Sequence, residues 1–181
     1  MAKASLPLTI FFCADINHET VAEIQRKLRD MHESDLIEVR YVISITTDGG
    51  LIEPAMALVS TIHRIRREGR HITCHVAGGA YSGGATVLQA GAHRTIDRYG
   101  FIMTHEPQSD FENWKGSSTE LKAYQDQCDR AAEAQVDFFA VRTGHTVEYL
   151  RENFFTGRDM YIDAQTALDY NLVDEILEQP L

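Results

Sequence analysis

The sequence predicts an α/β fold on mostly parallel strands. Segments rich in β-branched residues alternate with segments whose apolar residues recur at helical spacing. The strand segments are near-continuous apolar runs, as expected where crossover helices cover both faces of a sheet. The chain has 181 residues, 44% apolar and 24% charged, which fits one soluble domain of ordinary size spanning residues 1–181. Its 12 Gly and 4 Pro are too few and too scattered for a collagen-like or low-complexity chain.

Leu8 to Cys13 reads as a buried strand. Asn17 can cap a helix whose Val21, Ile24 and Leu28 share one face. Val39 to Ile45 is the next strand, and it runs into Asp48-Gly49-Gly50. The second helix places Ile52, Met56, Val59, Ile62 and Ile65 on one face, with Pro54 in its first turn and Gly69 closing it. His71 to Ala77 reads as a third strand, Gly78 to Gly84 as the turn after it, and Ala85 to Ala90 as a helix start. Short strands are expected near Arg94 to Asp97 and Phe101 to Thr104. Ser117-Ser118-Thr119-Glu120 has the capping-box form and opens a long helix through Phe139, with Gly144 beyond its end. A short helix from Thr146, a helix from Ala164 to Tyr170 capped by Asp163, and a strand from Leu172 to Ile176 complete the chain. Strand order is left open at this level.

Charge narrows the function. Lys and Arg number 17 against 27 Asp and Glu, a net charge of −10. A nucleic-acid binder needs cations to displace phosphate counterions, so that class is disfavoured. The one basic cluster, His63 to Arg70, complements a helix C-terminus and reads as a solvated helix end, with a docking patch as the alternative. Cys13, Cys74 and Cys128 form no C-x-x-C pair, so neither a disulfide framework nor a zinc ribbon is expected, and a reducing cytoplasmic setting fits. The apolar run after Lys3 is too short for a signal peptide, and no run of about 18 apolar residues suggests a membrane span.

The Gly-rich turn is the first candidate for chemistry. A strand feeding a tight turn into a helix would set Ser82 where free N–H groups favour developing negative charge. Ala80-x-Ser82-x-Gly84 is one residue off the G-x-S-x-G elbow. The plainer alternative is a serine N-cap in a Gly-rich turn. No Walker loop and no G-x-G-x-x-G is present, and no cofactor or metal is called for. Of the eight histidines, His18, His32 and His63 lie on helix stretches and are expected at the surface. His71 and His75 alternate along a strand without carboxylate support for a metal. His105 sits at a strand end before Glu106-Pro107. Asp159, in Gly157-Arg158-Asp159-Met160, is unremarkable alone. Periodicity and spacing permit a triad without selecting one.

Four blocks in order resemble the proteolytic subunit of the Clp protease (ClpP), a serine peptidase family of the crotonase-like superfamily. Ile45-Thr46-Thr47-Asp48-Gly49-Gly50 is similar to the family's Asn-Ser-Pro-Gly-Gly segment. Ala80-Tyr81-Ser82-Gly83-Gly84-Ala85, with Ala90-Gly91-Ala92, is similar to its nucleophile helix. Ile102-Met103-Thr104-His105-Glu106-Pro107 is similar to its Met-Ile-His-Gln-Pro segment. Arg158-Asp159 through Ala164, Ala167, Tyr170 and Leu172-Val173-Asp174 is similar to its C-terminal block. The resemblance covers about Leu8 to Leu177. It implies coiled strand–helix repeats with a long protruding handle helix, the handle region being about 108–143. It implies Ser82 as nucleophile, His105 as general base, Asp159 as the orienting acid, and Gly50 and Gly83 as the oxyanion hole. It further implies a homo-oligomer of heptameric rings, stacked in pairs through the handle, with Arg158 bridging rings and peptide or unfolded protein as substrate.

The departures from the family pattern carry expectations too. The family has roughly twenty residues before its first strand, which meet an AAA+ unfoldase. Here the first strand begins near Leu8, so unfoldase docking in the usual manner is in doubt. In this the chain resembles divergent, phage-type members. Asp48 stands where the family has Pro. Gln108 to Gly116, including Trp114, replaces a Gly-Gly pair that lines the substrate strand, which predicts altered substrate or subunit contacts. Competing readings are a non-catalytic or latent Clp-like scaffold, a crotonase-type acyl-CoA enzyme, and a Ser-Lys membrane peptidase. The intact Ser82, His105 and Asp159 favour the peptidase.

Overall fold

A computed structural model of the chain describes residues 7–34, 40–107 and 115–178. The chain winds through β1 (Leu8–Phe12), α1 (His18–Glu33), β2 (Tyr41–Thr47), α2 (Ile52–Arg67), β3 (Ile72–Tyr81), α3 (Gly83–Leu88) and β4 (His93–Asp97). It continues through β5 (Phe101–Thr104), α4 (Ser118–Thr143), α5 (Val147–Asn153), β6 (Met160–Asp163), α6 (Ala164–Asp169) and β7 (Glu175–Leu177). The strands form one sheet in the order β1-β2-β3-β4-β7. All pairs are parallel except β5 with β6. The fold is therefore α/β, as the sequence predicts. Among the described residues no helix is long and apolar enough to cross a membrane.

Ten-residue β3 is the axis of the sheet. Its first half pairs with β4, Thr73 to Val76 against His93 to Ile96. Its second half pairs with β5, Gly79 to Tyr81 against Phe101 to Met103. The chain thus leaves the sheet after β4, turns at Gly100 and rejoins the same neighbour further along. Ile43, Ile45, Cys74, Val76 and Ile96 along these strands are fully buried, which accounts for their near-continuous apolar character. Burial also pushes the Cys74 thiol up to about 12, so it is chemically quiet.

The helix starts follow the sequence signals. Asn17 accepts hydrogen bonds from the Glu19 and Thr20 N–H groups, and Thr20 Oγ1 accepts one from the Asn17 N–H in return. Ser117 and Glu120 form the reciprocal capping box of α4. Thr146 caps α5 and Asp163 caps α6. Gly144 closes α4 at φ 78°, a conformation that costs glycine little.

Several expected boundaries move. The third strand does not stop at Ala77. It runs through Gly78-Gly79 to Tyr81, so only Ser82 remains of the expected turn, and α3 starts at Gly83 rather than Ala85. Tyr81 folds back over the strand at Gly79. A Cβ on Gly79 would lie 2.6 Å from the Tyr81 ring. β2 extends to Thr47 through an irregularity between Ile45 and Thr47, and its expected start at Val39 lies outside the described residues. α4 runs past Phe139 to Thr143. The last strand is Glu175–Leu177, not Leu172 to Ile176, because the Leu172 and Val173 N–H groups turn back to the Ala167 carbonyl and bury both side chains. Strand β6 was not expected. Only four residues long, with Tyr161 and Asp163 exposed, it lacks the apolar run of the others. His32 and His63 are half-buried rather than at the surface, and His18 is exposed. Of the expected handle region 108–143, residues 108–114 lie outside the described residues, with Trp114 among them.

Arg94, 2% exposed, ties the C-terminal segments to the sheet. Its guanidinium donates to Asp174, to Gln89 Oε1 at 2.7 Å, to the Asn171 carbonyl at 2.9 Å and to Asn171 Oδ1 at 3.0 Å. Burial works against the Asp174 carboxylate. The hydrogen bonds and charge of Arg94, with His93, outweigh it and hold the carboxyl below its usual range. A depressed folded pKa means that this stabilisation is present above the ordinary Asp value and is lost as pH falls through the folded one. Asp174→Ala is therefore expected to cost at least about 2 kcal/mol in urea unfolding at neutral pH. The gap from wild type should shrink below about pH 4 as wild type loses the same interaction.

Candidate active site

Ser82 stands between β3 and α3, where the backbone must reverse from strand to helix. It does so at φ 51°, ψ −113°, which a residue with a Cβ rarely adopts. A hydrogen bond from its N–H to the Met103 carbonyl, 2.8 Å, continues the β3–β5 pairing one residue beyond Tyr81 and holds the strained residue in place. Ser82 occupies the N-cap position of α3, yet its side chain makes no capping hydrogen bond. The plain serine-cap alternative is thereby overturned. Its Oγ instead lies 2.8 Å from His105 Nε2.

The loop after β2 forms the floor of the site through contacts that only glycine allows. A Cβ on Gly49 would fall 2.7 Å from the Tyr81 carbonyl oxygen and 2.8 Å from Ser82 Cβ. A Cβ on Gly50 would fall 2.2 Å from the Ile16 carbonyl oxygen. The loop is fixed by Ile16 N–H donating to the Gly49 carbonyl at 2.7 Å and Leu51 N–H donating to the Ile16 carbonyl at 2.9 Å. Thr47 Oγ1 donates to the Ala14 carbonyl at 2.7 Å and accepts from the Gly49 N–H at 3.1 Å. The bridge to Ile16 uses the groups on either side of Gly50 and leaves its own N–H out of the pairing.

His105 lies one residue beyond β5. Its neighbours anchor the segment. Thr104 Oγ1 donates to the Phe154 carbonyl at 2.6 Å, and Glu106 N–H donates to the Thr156 carbonyl at 2.9 Å. His105 is 16% exposed at the side chain, and Asp159 is 48% exposed. Asp159 Oδ1 approaches His105 Nδ1 to 3.9 Å, within ion-pair range but short of a hydrogen bond. Among the described residues, Nδ1 is buried without a hydrogen-bond partner.

The fold therefore brings Ser82, His105 and Asp159 together, with Gly50 and Gly83 beside them. Arg158 is exposed, next to Asp159 in the chain. His75 is engaged elsewhere, its Nδ1 2.9 Å from Thr95 Oγ1. Two features escaped the sequence reading. Gly49, rather than Gly50, is the loop glycine packed against Ser82, where a Cβ would fall 2.8 Å from Ser82 Cβ. Tyr81 and Tyr161 meet edge to face at 5.8 Å beside the site, Tyr161 being exposed. The pairing of Met103 with Tyr161 that produces this contact requires β6, which no sequence signal marked.

The glycine floor yields a contrast. Gly49→Ala should abolish covalent labelling of Ser82 by a fluorophosphonate. Gly69→Ala has positive φ but nothing within 4 Å of a new Cβ, so it should keep labelling and lose only about 1 kcal/mol of stability. Intact-mass analysis and thermal melting of the two variants check this.

A profile of the Clp protease family matches residues 4–180, nearly the whole chain. Together with the parallel α/β sheet, this match answers the question of lineage. The chain belongs to the Clp protease family, a family of ClpP-type peptidases.

Proposed function

We propose that this chain is a serine endopeptidase hydrolysing peptide bonds in peptides or unfolded protein. The observation that carries the reading is the 2.8 Å approach of Ser82 Oγ to His105 Nε2, made by a serine that spends none of its side chain on capping. In this reading His105 takes the Ser82 proton as Oγ attacks the scissile carbonyl. The N–H groups of Gly50 and Gly83 receive the developing oxyanion. The unpaired Gly50 N–H and the place of Gly83 at the start of α3 support this. His105 then protonates the leaving amine, and water, activated by the same imidazole, releases the acyl group. Asp159 orients the imidazole and stabilises its charged form. No cofactor is needed for any step.

Family membership supports an oligomer. We read residues 1–181 as one peptidase domain in a heptameric ring, two rings stacking through α4 and Arg158. Such a chamber would restrict a low-specificity site to chains that enter it. An AAA+ unfoldase is a candidate partner for delivering them. Unpaired Cys13, Cys74 and Cys128 fit a reducing cytoplasmic setting.

One observation favours a second reading, that of a latent subunit. The 3.9 Å gap leaves His105 Nδ1 without its orienting bond. Fluorophosphonate labelling followed by intact mass, on material sized by light scattering, separates the two. An adduct absent in Ser82→Ala establishes the activated serine. No adduct on an assembled ring sinks the peptidase reading. Ser82→Ala should lower peptide hydrolysis by about 10³-fold or more. Asp159→Ala should keep the fold and lose most activity. Near-wild-type turnover in that variant would remove Asp159 from the mechanism.

A further inference from the structure

Away from Ser82, the end of α2 and the residues just after it, the turn after α3 and the last turn of α4 border an open surface pocket of about 510 Å³, lined by His63, Arg66, Arg67, Arg70, Ala92 and Arg142. Four guanidinium groups thus line one depression in a chain of net charge −10. The basic cluster does close α2, as its sequence suggests, with Arg64 and Arg67 exposed. Arg66 and Arg70 are half-buried, and half-buried Arg142 joins them from a helix far along the chain.

Neutral partners hold Arg66 and Arg142 in place. Arg142 donates from Nε to the Gln89 carbonyl at 2.7 Å and from Nη2 to the Gly91 carbonyl at 2.8 Å. Arg66 Nη1 donates to the Ala90 carbonyl at 2.7 Å. Arg70 Nη2 lies 3.3 Å from the His32 carbonyl, and its guanidinium stacks over the Tyr41 ring. Carbonyls orient a guanidinium without neutralising it. Among the described residues no carboxylate lies within ion-pair distance of Arg66, Arg67 or Arg142, the nearby Asp174 being bound to Arg94. The crowding registers on its members. Burial first, then Arg66, Arg142 and Arg67, hold the His63 imidazole below its usual range. Burial, then Arg94 and Arg66, act the same way on Arg142.

We infer that this pocket binds a small anion carrying two or more phosphate groups. Capping the end of α3 explains Arg66 and Arg142 but not Arg67 or His63, which converge on the same space. The volume lies within the roughly 300–1,000 Å³ range of small-molecule sites and exceeds what a single phosphate fills. Several planar forks aimed at one space match several oxygens at once, as a polyphosphate presents them. The phosphate chain could belong to inorganic polyphosphate or to a nucleotide. The site is independent of the peptidase reading, and its test reads binding alone.

The experiment is calorimetric titration of the full chain at low ionic strength with inorganic tripolyphosphate, ATP, orthophosphate and hexaglutamate. Tripolyphosphate should bind at one site per chain, more tightly than orthophosphate. ATP binding no better than tripolyphosphate points to the phosphates alone, and tighter binding of ATP adds a contribution from the nucleoside. Arg67→Glu should weaken tripolyphosphate by at least about tenfold. Arg67 has no hydrogen bond from its side chain among the described residues, so the ligand-free melting temperature should hold, and Arg67→Gln serves if it does not. Arg151→Glu, the same charge change on exposed α5, should alter binding less than about twofold. No heat with tripolyphosphate at millimolar concentration would overturn the proposal. Equal loss in the Arg151 variant would do so by reducing the effect to diffuse charge. Binding of hexaglutamate in preference to tripolyphosphate would replace the phosphate ligand with an acidic polypeptide.

Discussion

Main chain lying directly on main chain, without intervening side chains, is the constraint on which the centre of this molecule depends. At Gly49 and Gly50 the loop leaving β2 touches the end of β3 and the segment leaving β1 at distances that leave no room for a Cβ. Gly84, the second residue of α3, adds a tight side-chain contact, a Cβ there falling 2.5 Å from Thr47 Cγ2. Side chains can rotate away from a neighbour, but backbone held on both sides cannot. The ends of three successive strand–helix units are therefore locked to one another, and the Ile16–Gly50 bridge extends the β1–β2 pairing past the strands themselves.

This lock explains how Ser82 can hold a conformation that costs on the order of 1–3 kcal/mol. The residue is pinned from below by the Gly49 loop and from the side by the Met103 carbonyl. The strand that supplies that carbonyl carries His105 two residues later. The serine and the imidazole are thus placed by one parallel pair, Tyr81 with Met103, and their separation follows from strand register. Asp159 arrives differently. It precedes β6, which touches the sheet only through antiparallel pairing with β5, and its side chain is half exposed. Two of the three groups rest on the rigid part of the fold, and the third rests on its periphery.

Legibility in the sequence follows the same division. Local signals were readable where local energy decides. Asn17, Ser117 and Asp163 cap helices as read, because an N-cap is a contact within a few residues. The Gly78-Gly79 stretch reads locally as a turn but is strand, since Gly79 lies against the Tyr81 ring and pairs with β5, neither of which is visible locally. β6 was missed for the related reason that its existence depends on its partner. At the site, spacing alone selected none of the three side chains, and only the family resemblance pointed to them. Gly49 could not be separated from Gly50, because the distinction lies in which carbonyl each one faces. The basic cluster is the helix end that it reads as, but the pocket it borders also needs Arg142, more than seventy residues after Arg70 in the chain.

The unequal support of the three groups has an energetic consequence. A buried imidazole nitrogen without a partner costs roughly 1–3 kcal/mol relative to one that is paired. His105 Nδ1 therefore favours any arrangement that brings a carboxylate oxygen about 1 Å nearer than its present 3.9 Å. Ser82 and His105 have little freedom to move, because register and the glycine floor hold them. The Arg158-Asp159 segment has more, being exposed and joined to the sheet through one short strand. A contact that packed against this segment would need to supply only the ordering entropy of a few residues, on the order of 1–2 kcal/mol each. Completion of the hydrogen bond would offset part of that cost. If a neighbouring subunit contributes such a contact, assembly and alignment of the site become one event, and the preformed Ser82–His105 pair is the half that does not wait for it.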